Sequence, residues 1–500
     1  MNDAVSAAPA APAAADAADR ATPARPLRRL SELPGPKGWP VLGVLPQITP
    51  ARFHLQMQGW AAEYGRYFRV PMGPYQMLVT ADHEAVAQIM RDRPDGFRRT
   101  QRLENIGLEM GLKPGLFGAN GEVWKRQRRM VMSAFDPGHV KAYYPSLIRC
   151  STRLLARWQR AAAANAAIPL QPDLMRFTVD AIAGLAFGTE VNTLESDDDI
   201  IQNHLNKIFP KLYSRIIAPV PYWRWFRLPS DRALDHALTE VNTAIDGFIA
   251  AARQRLAAEP DRRAHPQNLL EAMIVAADAP GSGIDDAQVA GNVLTMLLAG
   301  EDTTANTLAW AIWFLSTQPL AAARATVEAR DALAAAGGDL AQVTVEQLAH
   351  LDFIEAVMHE TMRLKPVAPQ MPLQALRDTV VGDVAVPAGG IVMGLLRFDS
   401  VDEAFVPRAK EFLPERWLGE SGLSATSAKR ISMPFGAGPR ICPGRYLALQ
   451  EMKMVMLVLL GHFDIRSVAT ANGEPPAEEL KFAMSPVGLD MRLAPRSQHA

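Results

Sequence analysis

The chain has 500 residues, 48% of them hydrophobic and only 7% aromatic, with alanine and leucine dominant, so it can bury a large core and should be mostly helical. A formal net charge of -1 excludes the strongly basic class, and no nucleic-acid partner is expected. Two cysteines far apart, Cys150 and Cys442, exclude a disulfide framework and point to a reducing cytoplasm.

In chain order, residues 1–28 form an Ala/Pro-rich leader without an apolar run, expected to be disordered. No stretch has the apolar core of a secretory signal or the roughly 20 apolar residues of a membrane helix, and Asp3, Asp16 and Asp19 argue against a transit peptide. No membrane anchor is expected. Residues 34–43 are a proline- and glycine-rich entry segment. Residues 67–72 and 76–80 read as two strands around a Gly73-Pro74 turn, the start of a small sheet. Residues 99–118, with Gly107, Gly111, Pro114 and Gly115, read as a loop-rich pocket wall. Trp124 then opens a basic helix in which Trp124 and Arg128 share a face. Helical periodicity runs through 139–164, 172–187 and 231–257, interrupted by the prolines and aromatics of 209–213 and 219–226.

Residues 285–316 carry the longest helical pattern, apolar almost throughout and therefore expected at the centre. Its middle, Ala299-Gly300-Glu301-Asp302-Thr303-Thr304, sets two acids and two hydroxyls in that run. Polar groups in a core are costly unless satisfied or used. Either the threonines bond back to the helix and the acids face solvent, or the group is functional. Glu360 and Arg363 lie three residues apart on a helix that Pro366 ends, followed by strand-rich sequence over 367–389. His359-Glu360 is not a zinc-protease helix, because no second His follows at the required spacing. Finally, Phe435-Gly436-Ala437-Gly438-Pro439-Arg440-Ile441-Cys442-Pro443-Gly444 packs three glycines and two prolines around a cysteine that stands just before an apolar helix over 445–460. Loop amides and a positive helix end favour a thiolate. One thiolate cannot build a zinc site of about four ligands, but it can be the axial ligand of a haem iron. A dinucleotide loop is excluded by Ile441 where that fingerprint needs glycine.

This last string, Phe-Gly-x-Gly-x-Arg-x-Cys-x-Gly, resembles the haem-ligand loop of the cytochrome P450 monooxygenases. The resemblance covers roughly residues 33–495 and implies a mainly α fold with a minor β region, one large domain over 29–500 after the leader, which overrides a length prior of about three domains. It implies haem b held by Cys442, Phe435, Gly436 and Arg440, with Trp124 and Arg128 on the haem propionates. Asp302 and Thr303 match the oxygen-activation motif, and Glu360, Arg363 and Arg416 match a buried structural cluster. Leu298, Ala299, Ala368 and Met371 match the substrate pocket, and 209–226 the lid over its channel. Many members carry a propionate arginine near the position of Gln374. Here Arg377 would have to shift, or Arg440, Trp124 and Arg128 would have to suffice. The implied reaction is insertion of one oxygen atom from O2 into an apolar small molecule. A haem-thiolate sensor or a peroxide-driven enzyme would not need the intact Asp302-Thr303 pair. The sequence after Cys442 leaves no room for a reductase domain, so electrons should come from a separate ferredoxin or flavodoxin with its reductase, docking at Lys125, Arg126, Arg128, Arg129 and Arg445. A soluble, cytoplasmic, bacterial-type monomer is the expectation.

Overall fold

The computed structural model describes residues 26–135, 137–188, 191–195, 200–419 and 425–496. Most of the expected leader lies outside them. Its last residue, Arg28, lies within them and belongs to the strand Arg28–Arg29, pairing with Val384 and held by a bidentate ion pair to Asp383.

The helices that position the site are α1 (His83–Arg91), α2 (Gln101–Glu109), α3 (Gly121–Ala134), α4 (Tyr144–Ala163), α5 (Leu170–Phe187), α6 (Ile200–Ile217), α7 (Pro229–Ala258), α8 (Asp286–Thr317), α9 (Asp352–Leu364) and α10 (Arg445–His462). Starts follow local chemistry. Asp82 accepts from the Glu84 and Ala85 amides to cap α1, and Asp285 and Gln288 form a reciprocal capping box on α8. Two of these helices correct the sequence reading. Within 99–118, Thr100 accepts from the Leu103 amide and starts α2, which its glycines do not prevent. In 209–213, Pro210 sits inside α6 without ending it. Proline there loses one helical hydrogen bond, but Phe209 stacks on Phe482 at 4.3 Å and the Tyr213 hydroxyl donates to the Pro50 carbonyl, so tertiary contacts hold the segment helical.

As its apolar run requires, α8 is the central helix: it packs against α5, α9 and α10, and Leu308, Ala309, Trp310 and Ile312 are fully buried. The largest core joins it to Leu154 and Trp158 of α4, Phe177 of α5, Val357 of α9 and Val455 of α10, each such side chain contributing about 1.5–3 kcal/mol on burial. Among the described residues no helix is long and apolar enough to cross a membrane.

The largest sheet of the minor β region comprises β1 (Tyr67–Met72), β2 (Tyr75–Thr80), β3 (Phe97–Arg99), β4 (Gln370–Ala375) and β5 (Ile391–Leu395), in the order β1-β2-β5-β4-β3. The hairpin β1-β2 turns at Gly73 (φ 62°), as read from the sequence. The register of β3 on β4 sets Arg98 opposite Gln374 and Arg99 opposite Leu373, which matters for the site.

Beneath the site lies a fully buried ion cluster. Glu360 accepts from Arg363 Nε and Nη2 at 2.8 and 2.7 Å, from Arg416 Nε at 2.9 Å, from the Trp417 indole at 2.9 Å and from the Leu413 amide at 2.9 Å. The guanidiniums spend their other donors on the carbonyls of Ser400, Ala409, Pro407 and Arg408. On its own the spacing of Glu360 and Arg363 suggests only a surface pair, whereas all three charged side chains are at most 1% exposed. Burial favours the neutral acid, but Arg363, Arg416 and the Leu413 amide outweigh it and hold Glu360 below the usual carboxylate range. Glu360→Gln leaves two buried cations without their anion, and unfolding should be easier by about 3–5 kcal/mol. Because the folded pKa is depressed, this contribution is complete above about 4.3 and is lost as pH falls through the lowered value. The difference in unfolding free energy between parent and variant should therefore be constant at neutral pH and close in acid; a difference independent of pH down to about 2 would contradict the assignment.

Candidate active site

The loop 435–444 is shaped by two left-handed glycines. Gly436 has φ 75° and Gly438 φ 70°, and a Cβ on Gly438 would stand 2.7 Å from Arg91 Cα, so the loop can lie directly on the end of α1 only with glycine there. The Cys442 amide donates to the Phe435 carbonyl at 2.9 Å and the Gly436 amide to the Met433 carbonyl at 2.9 Å, closing the loop. With α10 starting at Arg445, Cys442 stands just outside a helix N-terminus, half-buried and with a free thiol.

Burial nevertheless pushes that thiol up. The Gly444 amide and the charges of Arg128 and Arg445 pull the other way without prevailing. The loop amide thus favours the thiolate as the sequence suggests, burial of the sulfur opposes it, and a coordinating metal cation would tip the balance towards the thiolate. Cys150 is a core thiol beside Leu147 and Leu154, pushed up to about 12 by burial. Among the described residues no group of three His, Cys, Asp or Glu side chains could hold a metal ion. A metal at Cys442 would therefore bring its remaining ligands with it.

Next to the loop is an excess of positive charge. Arg440 stacks over the Trp124 ring at 4.6 Å and donates to the Ala119 carbonyl at 2.6 Å. Arg99 lies over Phe117 at 4.1 Å, its amide bonded to Asn120 Oδ1, and Arg93 is 4% exposed. The Nε atoms of Arg93, Arg99 and Arg440 are all shut off from water with no partner. Burial, followed by mutual repulsion where it is felt, lowers Arg93 to about 8, Arg440 to about 9 and Arg99 to about 10. Arg128 is half-buried, and its charge reaches both Cys442 and Arg440. Among the described residues no carboxylate is one of the groups that shift Arg93, Arg99, Arg128 or Arg440, a chemistry suited to anions that arrive with a ligand. Arg377 does not shift to serve: it is exposed and bonded to Asp92 at 2.8 and 3.0 Å, while Gln374 bonds to the Gly389 carbonyl.

On the other wall, α8 runs unbroken through its polar middle. Thr303 Oγ1 donates to the Ala299 carbonyl at 2.7 Å, the back-bonding that a lone threonine in a helix would make. The acids do not face solvent, however. Glu301 is 2% exposed, and burial pushes Asp302 up to about 6, opposed by Lys481. Gly300 lets α8 approach α5, since a Cβ there would touch Ile182 at 3.3 Å. Ala299 and Ala368 are exposed, although Leu298 and Pro369 beside them are buried. Leu298 packs into the core with Trp124 and Leu447, and Met371 is half-buried with its sulfur 3.5 Å from Arg93 Nη1.

Sequence reasoning did not find Arg93, Arg99 or Glu451. The arginine pair after Phe97 carries no pattern that singles out Arg99, and none singles out Arg93. Glu451 of α10 is 3% exposed, hydrogen-bonded to Thr304 of α8, with a partnerless Oε1, and burial pushes it up to about 8.

The sequence profile described as Cytochrome P450 matches residues 33–493. The chain belongs to the cytochrome P450 family. It is 25% identical to the protein LUTEIN DEFICIENT 5, chloroplastic, of Arabidopsis thaliana, over 87% of this chain and 73% of that one. It is 26% identical to Cytochrome P450 704B1 of the same plant, over 93% and 95%. It is also 27% identical to the bifunctional cytochrome P450/NADPH--P450 reductase 2 of Bacillus subtilis, over 87% of this chain and 40% of that protein. This P450 is therefore an oxygen-incorporating oxidoreductase whose cofactor is haem b. The residues fit that group: one thiol for the iron, and buried guanidiniums whose Nε atoms have no partner for its two carboxylates. The ferrous carbon monoxide complex should show the red-shifted Soret band of thiolate ligation, retained in Cys150→Ser and lost in Cys442→Ser. The opposite pattern would overturn the assignment.

Proposed function

We propose that this P450 hydroxylates or epoxidises an apolar small molecule, with Asp302 and Thr303 delivering the protons. The overall balance is O2, two electrons and two protons in; one oxygen atom goes to the substrate and the other leaves as water. When bound, haem with a thiolate ligand supplies the O–O cleavage. The chain's own contribution is the supply of protons at the right moment and the exclusion of bulk water.

The observation that carries this reading is the place of Asp302, a half-buried carboxyl beside Thr303 in the middle of the long central helix α8. A carboxyl held near 6 inside an otherwise apolar helix can both hold and release a proton close to neutral pH. Thr303 follows it in sequence, about 100° further round the helix, with its hydroxyl tied to the Ala299 carbonyl but its oxygen still able to accept. Asp302 would take protons from the side of Lys481, and Thr303 would pass them to the reacting oxygen. An apolar cavity of about 440 Å³ lies between the segment 45–51, the end of α6 and the hairpin tip at Leu480 and Lys481. We assign it to substrate entry, with α6 and 219–226 as the covering lid and Ala299, Ala368 and Met371 further in.

Electrons would come from a separate acidic ferredoxin or flavodoxin, in a cytoplasmic, bacterial-type, monomeric protein. Arg129 and Arg445 support this on the Cys442 side, the latter stacked on the exposed Tyr446. Lys125 counts for less, being paired to Glu122 at 2.8 Å. Steering by such charges is screened over about 8 Å at physiological ionic strength, so reduction by the partner should slow with added salt and in Arg129→Ala; insensitivity to both would remove the proposal.

For the protons, Thr303→Ala should keep haem content and substrate affinity while diverting reductant from product to hydrogen peroxide. Asp302→Asn should slow turnover about 100-fold and enlarge its solvent isotope effect. An unchanged ratio of product to reductant in Thr303→Ala would contradict the relay.

A further inference from the structure

Arg93 lies on the loop after α1, among the least exposed charged side chains of the protein, and nothing in the sequence marks it. Its immediate acids are turned away from it: Asp92 is engaged by Arg377, and Asp95 lies 3.6 Å from Lys125. Among the described residues its one side-chain donor contact is Nη1 to the sulfur of Met371, a weak acceptor, and its Nε has none. Arg99 and Arg440 are the charges it feels, both of its own sign. A guanidinium in such a place is tolerated only if an anion joins it.

Its position answers a second question. Strand β4 offers no cation: Gln374 is neutral and bonded to Gly389, and Arg377 just beyond the strand is exposed and pointed outward. Arg93 reaches Met371 of that same strand from the neighbouring loop. Gly438 seats the cysteine loop on Arg91, so the backbone two residues before Arg93 is fixed by the loop that carries Cys442. The side chain is thereby held in register with both the thiol and the Arg99–Arg440 pair.

We infer that Arg93 is a haem-carboxylate ligand of this chain, standing in for the missing strand cation, and that its charge raises the reduction potential of the bound iron. The inference rests on haem binding at Cys442. Three clustered guanidiniums face two carboxylates, and the positive charge left over favours the form of the cofactor that has gained an electron. A residue that merely packed against Met371 would leave the potential unchanged.

The test uses the haem-loaded protein, with the thiolate carbon monoxide band recorded first. If the unmutated protein lacks that band, the haem-thiolate reading itself fails, an outcome distinct from any failure of Arg93 to act on the cofactor. In Arg93→Gln, the ferric-to-ferrous ratio at a fixed applied potential should rise about tenfold, equivalent to about 59 mV for one electron. Haem transfer to apomyoglobin should quicken by a similar factor. Arg93→Lys keeps the charge but not the fork, so it should hold the ratio within about twofold while still losing haem at least about threefold faster. Arg377→Gln should change neither. If Arg93→Gln does not fold, Arg93→Lys decides by its haem loss. Potential and transfer rate both within about twofold of the parent in whichever variant folds would overturn the inference.

Discussion

Three guanidiniums, those of Arg93, Arg99 and Arg440, meet behind the cysteine loop with buried Nε atoms and no counter-anion. A cluster of like charges withdrawn from water is costly, and the surrounding fold holds it in place. Trp124 covers Arg440, Phe117 covers Arg99, and Asn120 bonds to both the Arg99 amide and the Arg440 side chain. The same logic applies to Cys442, whose burial raises the thiol above its ordinary range. A partly desolvated thiol and desolvated cations are complementary to one kind of guest, an anionic chelate of a metal cation.

The rest of the architecture holds these groups still. The Glu360–Arg363–Arg416 cluster ties α9 to the backbone around 400–416, so its buried charges, unlike those at the site, are compensated. The central helix α8 is anchored to α10 through the Thr304–Glu451 bond, which links the Asp302–Thr303 segment to the helix that follows Cys442. Trp225 and Phe226, a few residues beyond Pro219 of the cavity wall, are exposed.

Much of this was legible in the sequence wherever the determinants are local. The glycines of 435–444, the apolar run of α8 and the hairpin at Gly73 each express a backbone or burial requirement within a few residues. Helix α2 was hidden because its start depends on one Thr100 cap amid glycines, and α6 because aromatic contacts with a distant hairpin override Pro210. Arg93 and Arg99 were invisible for the same reason: their role arises from strand register and from how the cysteine loop seats on α1, which join residues distant in the chain. Cys442 shows the converse. Its loop amide and neighbouring cations do favour the thiolate, as the local pattern suggests, but burial by residues from elsewhere in the chain outweighs them.

The most direct test of the account compares haem with haem dimethyl ester as ligands of the apoprotein, by titration. The ester keeps the iron and the apolar ring but cannot neutralise the guanidiniums. If Arg93, Arg99 and Arg440 exist to receive two carboxylates, each lost charge-assisted contact removes about 1.5–3 kcal/mol, and the ester should bind at least about tenfold more weakly. Equal affinities would mean that the cluster does not meet the carboxylates at all, and would contradict the account.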